Sequence, residues 1–210
     1  MVEGRFAVDR LLASEYEVLR TLVVGTDLTR AQASELTGYP FHRGVLALAR
    51  KPPNPALSAL ISTAPLVVLP EIADPGNLGT IIRNTAALGG SGVLLGKGCS
   101  PFNAKAVRSS AGTLFSLPFR RSEDLLTDLK ELRQTHHLLA TALTPVAVPL
   151  TEISLPPRPL ALLLGAEDFG LSPEVLSLCD QQTYLPMARS IDSLNVASSS
   201  AIFLYHLQRG

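Results

Sequence analysis

Arg83 is the only charged side chain in the stretch NLGTIIRNTAALG at residues 77–89. The preceding Asp-Pro-Gly is turn chemistry, and the Asn77 side-chain oxygen can cap the helix that follows. At helical spacing Arg83 shares a face with Gly79 and Thr80 behind it and Ala86 and Ala87 ahead. Every neighbour on that face is small, so another body can come close to one fixed cation. A guanidinium so placed suits a phosphate or another anionic group, and an internal salt bridge is the competing role. No histidine or carboxylate lies in the same stretch to act as an ordinary base.

Two further loops carry chemistry, each following an apolar strand, where ligands of open α/β sheets gather. In LLLGAEDFGLS at 162–172, Gly165 permits close backbone approach and Glu167 is a carboxylate just past the strand. Glu167 can pair Arg83 or Arg189, or cap its own loop. In LPMARSIDSLNVASSSA at 185–201, Ser193 and Asn195 flank Leu194 at the mouth of a helix rich in small residues. The amino end of that helix presents free N–H donors, so Ser193 is either a ligand group or a cap.

The elements that must hold these loops alternate. Apolar PLVVL at 65–69, the run at 93–95 and LALLL at 160–164 read as buried strands, with further strands in HLLATAL and at 183–185. TLFSLPF at 113–119 is strand-like. Helices are expected from 78 to about 88, at 104–110, over 122–134 with an amphipathic leucine stripe, after Ser172 with Pro173 at its first position, and from about 194 to 208. Strands apolar on both sides, alternating with helices, predict an α/β fold: a parallel sheet with helices on both faces. The glycines of GGSGVLLGKG at 89–98 follow a helix and lack G-x-G-x-x-G spacing, which excludes a dinucleotide fingerprint there. Residues 1–48 form a short first unit, with a helical pattern through Phe6, Val8, Leu11 and Leu12. The proline-rich ARKPPNP at 49–55 reads as a linker, and 56–210 form the second unit.

No apolar run approaches the ~20 residues of a membrane helix, and the amino terminus has no signal-peptide core. A cytoplasmic protein is expected, with no membrane partner. Cys99, Cys179 and four scattered histidines offer no metal constellation, and the cysteines read as buried thiols. Net charge is zero, which alone speaks against a nucleic-acid binder. Yet residues 75–122 carry Arg83, Lys97, Lys105, Arg108, Arg120 and Arg121 with no acidic residue, a block of +6. Such a block fits a polyanion lying across the surface, or simply a solvated basic face.

NLGTIIRNTAALG, LGAEDFGLS and LPMARSIDSLNVASSSAI together resemble the three ordered motifs of the SpoU (TrmH-like) family of SPOUT RNA methyltransferases. The resemblance covers roughly residues 66–210. It implies S-adenosylmethionine-dependent 2′-O-methylation of a ribose in ribosomal or transfer RNA, a carboxyl-terminal trefoil knot and a homodimer. Carried over residue by residue, Asn77, Arg83, Glu167, Ser193 and Asn195 are the catalytic candidates, with Gly79 also matching the first motif. Gly165, Ala166, Leu185, Met187 and Leu194 are the cofactor-binding ones, and Lys105, Arg108 and Arg189 are candidate RNA contacts. Arg189 stands where a glycine is common in the family. Residues 1–48 resemble more weakly the family's substrate-binding domain, similar to ribosomal protein L30e, with a shortened middle. Two alternatives stay open: a non-catalytic RNA-binding protein of the same fold, and a knotted methyltransferase acting on a base nitrogen.

Overall fold

The structure is a computed structural model of the 210-residue chain, describing residues 1–166, 168–189 and 193–208. Residues 2–49 build a three-stranded antiparallel sheet from β1 (Val2–Glu3), β2 (Val18–Val23) and β3 (Val45–Ala49), in the order β1-β3-β2. Helix α1 (Arg5–Leu12) covers one face. Its Ala7, Val8 and Leu11 pack in the cluster that holds Val45 and Ala47. Leu46, the alternate residue of β3, points the other way, into a small cluster with Phe41, Leu28 and Ala33 of helix α2 (Arg30–Thr37).

The rest of the chain alternates: β4 (Leu66–Ile72), α3 (Pro75–Ala87), β5 (Gly92–Gly98), α4 (Ala104–Ser109), β6 (Phe119–Arg121), α5 (Leu125–Thr135), β7 (His137–Thr141), β8 (Val148–Pro149), β9 (Leu160–Leu163), α6 (Pro173–Leu178), β10 (Gln181–Tyr184) and α7 (Val196–Leu207). The sheet order is β6-β5-β4-β9-β7-β10-β8, and every pairing is parallel. Both faces are covered, as the apolar strands require. Along β4, Val67 and Leu69 face Leu78, Ile81 and Ile82 of α3 and Phe203 and Leu204 of α7. Leu66 and Val68 face Leu129 and Leu132 of α5 and Val175 of α6. Each such side chain, taken from water, is worth about 1.5–3 kcal/mol, so these two layers hold the sheet.

Local details depart from expectation where side chains compete for one role. Asp74, not Asn77, caps α3: its Oδ1 accepts from the Asn77 N–H at 2.8 Å, and Pro75 takes the first turn. A carboxylate three residues upstream reaches the same free donor and complements the helix dipole. Asp124 caps α5, so that helix begins at Leu125 and not at Ser122. The stretch read as strand-like at 113–119 is a 3₁₀ turn (Thr113–Phe115), and the strand starts only at Phe119. Ser172 and Pro173 start α6 as expected. Cys99 and Cys179 are half-buried, less enclosed than expected, and burial raises both thiol pKa values, that of Cys179 to about 12. Among the described residues no helix is long and apolar enough to cross a membrane.

Most of the basic block is paired with other parts of the chain. Lys105 reaches Asp74 at 2.6 Å, Arg108 lies 3.5 Å from Glu3, and Arg120 lies 3.5 Å from Asp128. Arg121 donates to the Gly96 and Cys99 carbonyls. Residues 54 and 55 are stitched to the β6 edge. The Asn54 side chain exchanges two hydrogen bonds with the Arg121 backbone, at 2.8 and 2.9 Å, and Arg120 donates to the Pro55 carbonyl at 2.7 Å.

α3 and α4 touch without side-chain spacers at Gly79. A Cβ there would sit 2.2 Å from the Ala106 carbonyl oxygen and 2.8 Å from Ser109 Cβ. Backbone cannot yield cheaply, so Gly79→Ala should destabilise by about 1–3 kcal/mol, read as a shifted urea midpoint with an unchanged slope.

Candidate active site

The site begins with two asparagines. Asn77 and Asn84 lie two helical turns apart on α3, hence on one face, and both meet the start of α7. Asn195 Nδ2 donates to Asn77 Oδ1 at 3.0 Å. Asn84 Nδ2 donates to the Ala197 carbonyl at 2.8 Å and to Ser200 Oγ at 2.9 Å. Small residues make this contact possible, since Ala197 and Ser200 are buried against α3. Asn195 also caps α7, its Oδ1 accepting from the Ala197 and Ser198 N–H groups. The cap is therefore Asn195, with Ser193 left to line the cavity beside it. In this way the first and third sequence motifs are joined through one asparagine pair.

Next to that pair, at the carboxyl ends of β7, β9 and β10, a cavity of about 490 Å³ opens. The size suits a small organic ligand. Gly165, Ala166, Leu185, Met187 and Leu194 all line it, together with Ser193 and Asn195, so the second and third motifs share one chamber. None of the described lining residues carries a charge; the wall is apolar side chain, hydroxyl, amide and backbone. Such a wall suits a purine ring held by backbone groups and aliphatic contacts, with a few hydroxyls for a sugar. S-adenosylmethionine, which the motif resemblance implies, fits this chemistry.

Gly165 is required for a reason the sequence did not expose. A Cβ there would stand 2.7 Å from the Gly170 carbonyl carbon, because the loop folds back on itself. Ala166 and Gly170 exchange two backbone hydrogen bonds of 3.0 Å. The close approach is thus made first by the chain's own backbone. Glu167 lies outside the described residues, as do 190–192.

Sequence reasoning missed Asn84 and the wall formed by Thr141, Ala142 and Leu143. Both had a signal. Asn84 is a polar residue one step from Arg83 on a helix that packs against small residues. Thr141 to Leu143 end an apolar strand on the edge where the other two loops lie.

Arg83 is exposed and makes no ion pair or hydrogen bond among the described residues. It does not line the cavity. It projects from α3 beside the face that Asn77 and Asn84 turn to α7. Arg189 is exposed too, with a left-handed φ of 58°. That backbone region favours glycine, so an arginine held there is strained. Arg108 and Lys105 lie on α4 and are held by Glu3 and Asp74. A larger cavity of about 1160 Å³ lies between residues 13–16, 52–55 and the ends of β5 and β6, but it contains none of the motif residues.

Residues 64–205 match the SpoU rRNA Methylase family profile. An uncharacterized tRNA/rRNA methyltransferase of Mycobacterium bovis is 35% identical, over 100% of this chain and 80% of its own length. The 23S rRNA (guanosine(2553)-2′-O)-methyltransferase RlmP of Bacillus subtilis is 32% identical, over 99% and 88%. The crystal structure of an AdoMet-bound rRNA methyltransferase from Sinorhizobium meliloti superposes with a TM-score of 0.87 at 26% identity, over 99% of this chain and 85% of that one.

Two substitutions probe the joint. Asn195→Ala removes both the cap and the bond to Asn77, and should cost about 1–2 kcal/mol in urea unfolding. Asn195→Asp keeps the cap acceptor and should recover most of that loss. At the same amino end of α3, hydrogen bonding from Lys105 holds the Asp74 pKa below its ordinary value. Its contribution is present above the unfolded-state carboxylate pKa and is lost as pH falls through the lowered folded value. Asp74→Asn should therefore flatten the acid limb of stability against pH, measured by thermal unfolding between neutral pH and pH 3.

Proposed function

The chain belongs to the SpoU rRNA methylase family, and from that premise we propose that it methylates the 2′-hydroxyl of a ribose in ribosomal RNA, with S-adenosylmethionine as donor. The observation that carries the reading is the cavity built from the second and third motifs, with no charge among its described lining residues, tied through Asn77 and Asn195 to the helix that presents Arg83. Relatives named for 2′-O transfer to 23S rRNA favour ribose over a base nitrogen and RNA modification over RNA binding alone.

S-adenosylmethionine supplies the electrophilic methyl group when bound. Gly165, Ala166, Leu185, Met187 and Leu194 hold the adenosine by backbone groups and aliphatic contact. Ser193 and Asn195 orient ribose and methionyl groups by neutral hydrogen bonds. The ribose oxygen sheds its proton as it becomes nucleophilic. Arg83, fixed on α3 and free of any described internal partner, clamps the neighbouring phosphate and stabilises the developing alkoxide. Guanidinium groups stay protonated in proteins, so Arg83 acts as the clamp and the hydroxyl proton passes to solvent water. Glu167 keeps its place in the proposal through its motif position next to Ala166. Arg189 contributes a second phosphate contact from its exposed loop.

The reading extends to the whole molecule. Residues 1–48 act as the substrate-holding unit of the L30e-like kind, supported by their small sheet with a helix on each face, and 49–55 connect it to the methyltransferase unit of 56–210. The carboxyl-terminal segment threads as the family's trefoil knot. A homodimer forms over the outer side of α7, a proposal supported by exposed Ile202 and Tyr205 on that helix. A ribosomal substrate puts this work in the cytoplasm.

Arg83→Ala should lower methyl transfer to rRNA on the order of 100- to 1000-fold. S-adenosylmethionine affinity, measured by calorimetry, should stay within about twofold, since Arg83 lies outside the cavity wall. Intact turnover in that variant would remove Arg83 from the mechanism.

A further inference from the structure

Helix α4 carries two cations that grip different parts of the molecule. Arg108 Nη1 lies 3.5 Å from Glu3 Oε2, on β1 of the amino-terminal sheet. The Glu3 side chain is only 3% exposed. Its Oε1 accepts from the Tyr39 hydroxyl, and its Oε2 makes no hydrogen bond although Arg108 and Arg43 lie 3.5 and 3.9 Å away. A carboxylate so buried is tolerable only with a cation beside it, and the better-buried of its two guanidinium neighbours comes from the other unit. One turn earlier, Lys105 holds Asp74, the residue that caps α3. Between these two grips, the Ala106 carbonyl presses on Gly79, one turn before Arg83.

From this arrangement we propose that α4 is a rigid coupling element that sets the register of the amino-terminal unit against the helix bearing Arg83, with Arg108 and Lys105 as positioning residues whose charges are engaged internally. The inference rests on the RNA-methylation reading and on the amino-terminal unit holding part of the substrate. An RNA gripped by both units can present its ribose to Arg83 only if the spacing between them is fixed. A misplacement of about 1 Å in such a geometry is enough for a loss on the order of a hundredfold. An RNA gripped by the methyltransferase unit alone has no such requirement.

The test compares two RNAs. One is in vitro-transcribed 23S rRNA; the other is a short hairpin around the nucleotide that the wild-type chain methylates in that transcript. In Arg108→Met, kcat on the long RNA should fall at least tenfold, while kcat on the hairpin and S-adenosylmethionine affinity stay within twofold. Arg108→Lys should restore most of the loss. Glu3→Gln keeps the shape of the buried side chain and the Tyr39 contact, and should reproduce the selective loss if Arg108→Met proves unstable. The double variant should be no worse on the long RNA than the more impaired single one. Equal losses on both RNAs, or none on either, would overturn the coupling role and leave the methylation reading standing. A wild-type chain that binds S-adenosylmethionine but methylates neither RNA would overturn that reading, and the coupling role with it.

Discussion

The contact between α3 and α7 is the constraint on which the active-site arrangement depends. Two helices from distant parts of the chain approach closely because one offers asparagines at positions 77 and 84 and the other offers alanine and serine. A larger side chain at Ala197 or Ser200 would push the axes apart and strand the half-buried amide of Asn84. An unsatisfied amide in that setting costs about 1–3 kcal/mol, so the polar pairing fixes the register more strictly than apolar packing would. With that register set, Asn195, Val196 and Ser199 at the start of α7 are held in place along the cavity wall.

Charge is distributed with the same economy. A run of six cations without an acidic residue suggests a basic face, but four of the six bind carboxylates or backbone carbonyls of the chain itself. Arg83 and Lys97 are the two that have no such partner among the described residues. Under the proposed function Arg83 is thereby left available to an anion of the substrate, while the cavity, without charge among its described lining residues, takes the donor by shape and hydrogen bonding. The remaining basic residues act as struts, holding the linker, the cap of α3 and the buried Glu3.

Much of this was legible in residue order. Apolar strands without alternation gave away a sheet covered on both faces, and five cofactor candidates chosen from two loops do line one cavity. The reasons behind several residues were not legible. Asp74 and Asn77 are equally good caps on paper, and only the turn geometry decides between them. Gly165 looked like room for a ligand, whereas its first duty is to let residue 170 pass. Lys105 and Arg108 looked available to RNA because their partners, Asp74 and Glu3, lie 31 and 105 positions away along the chain. Long-range pairings of that kind leave no local signature.

The central claim is that the chamber made by the turns at Gly165, Leu185 and Leu194, uncharged among its described lining residues, receives the methyl donor for a transfer that Arg83 assists. The direct measurement is a crystal structure of the chain with S-adenosylhomocysteine. The account predicts the adenine against those three turns and the sulfur directed to the α3 side of the chamber. Adenine density in the larger groove near Tyr16 and Phe102, with the chamber between β7, β9 and β10 left to solvent, would contradict it.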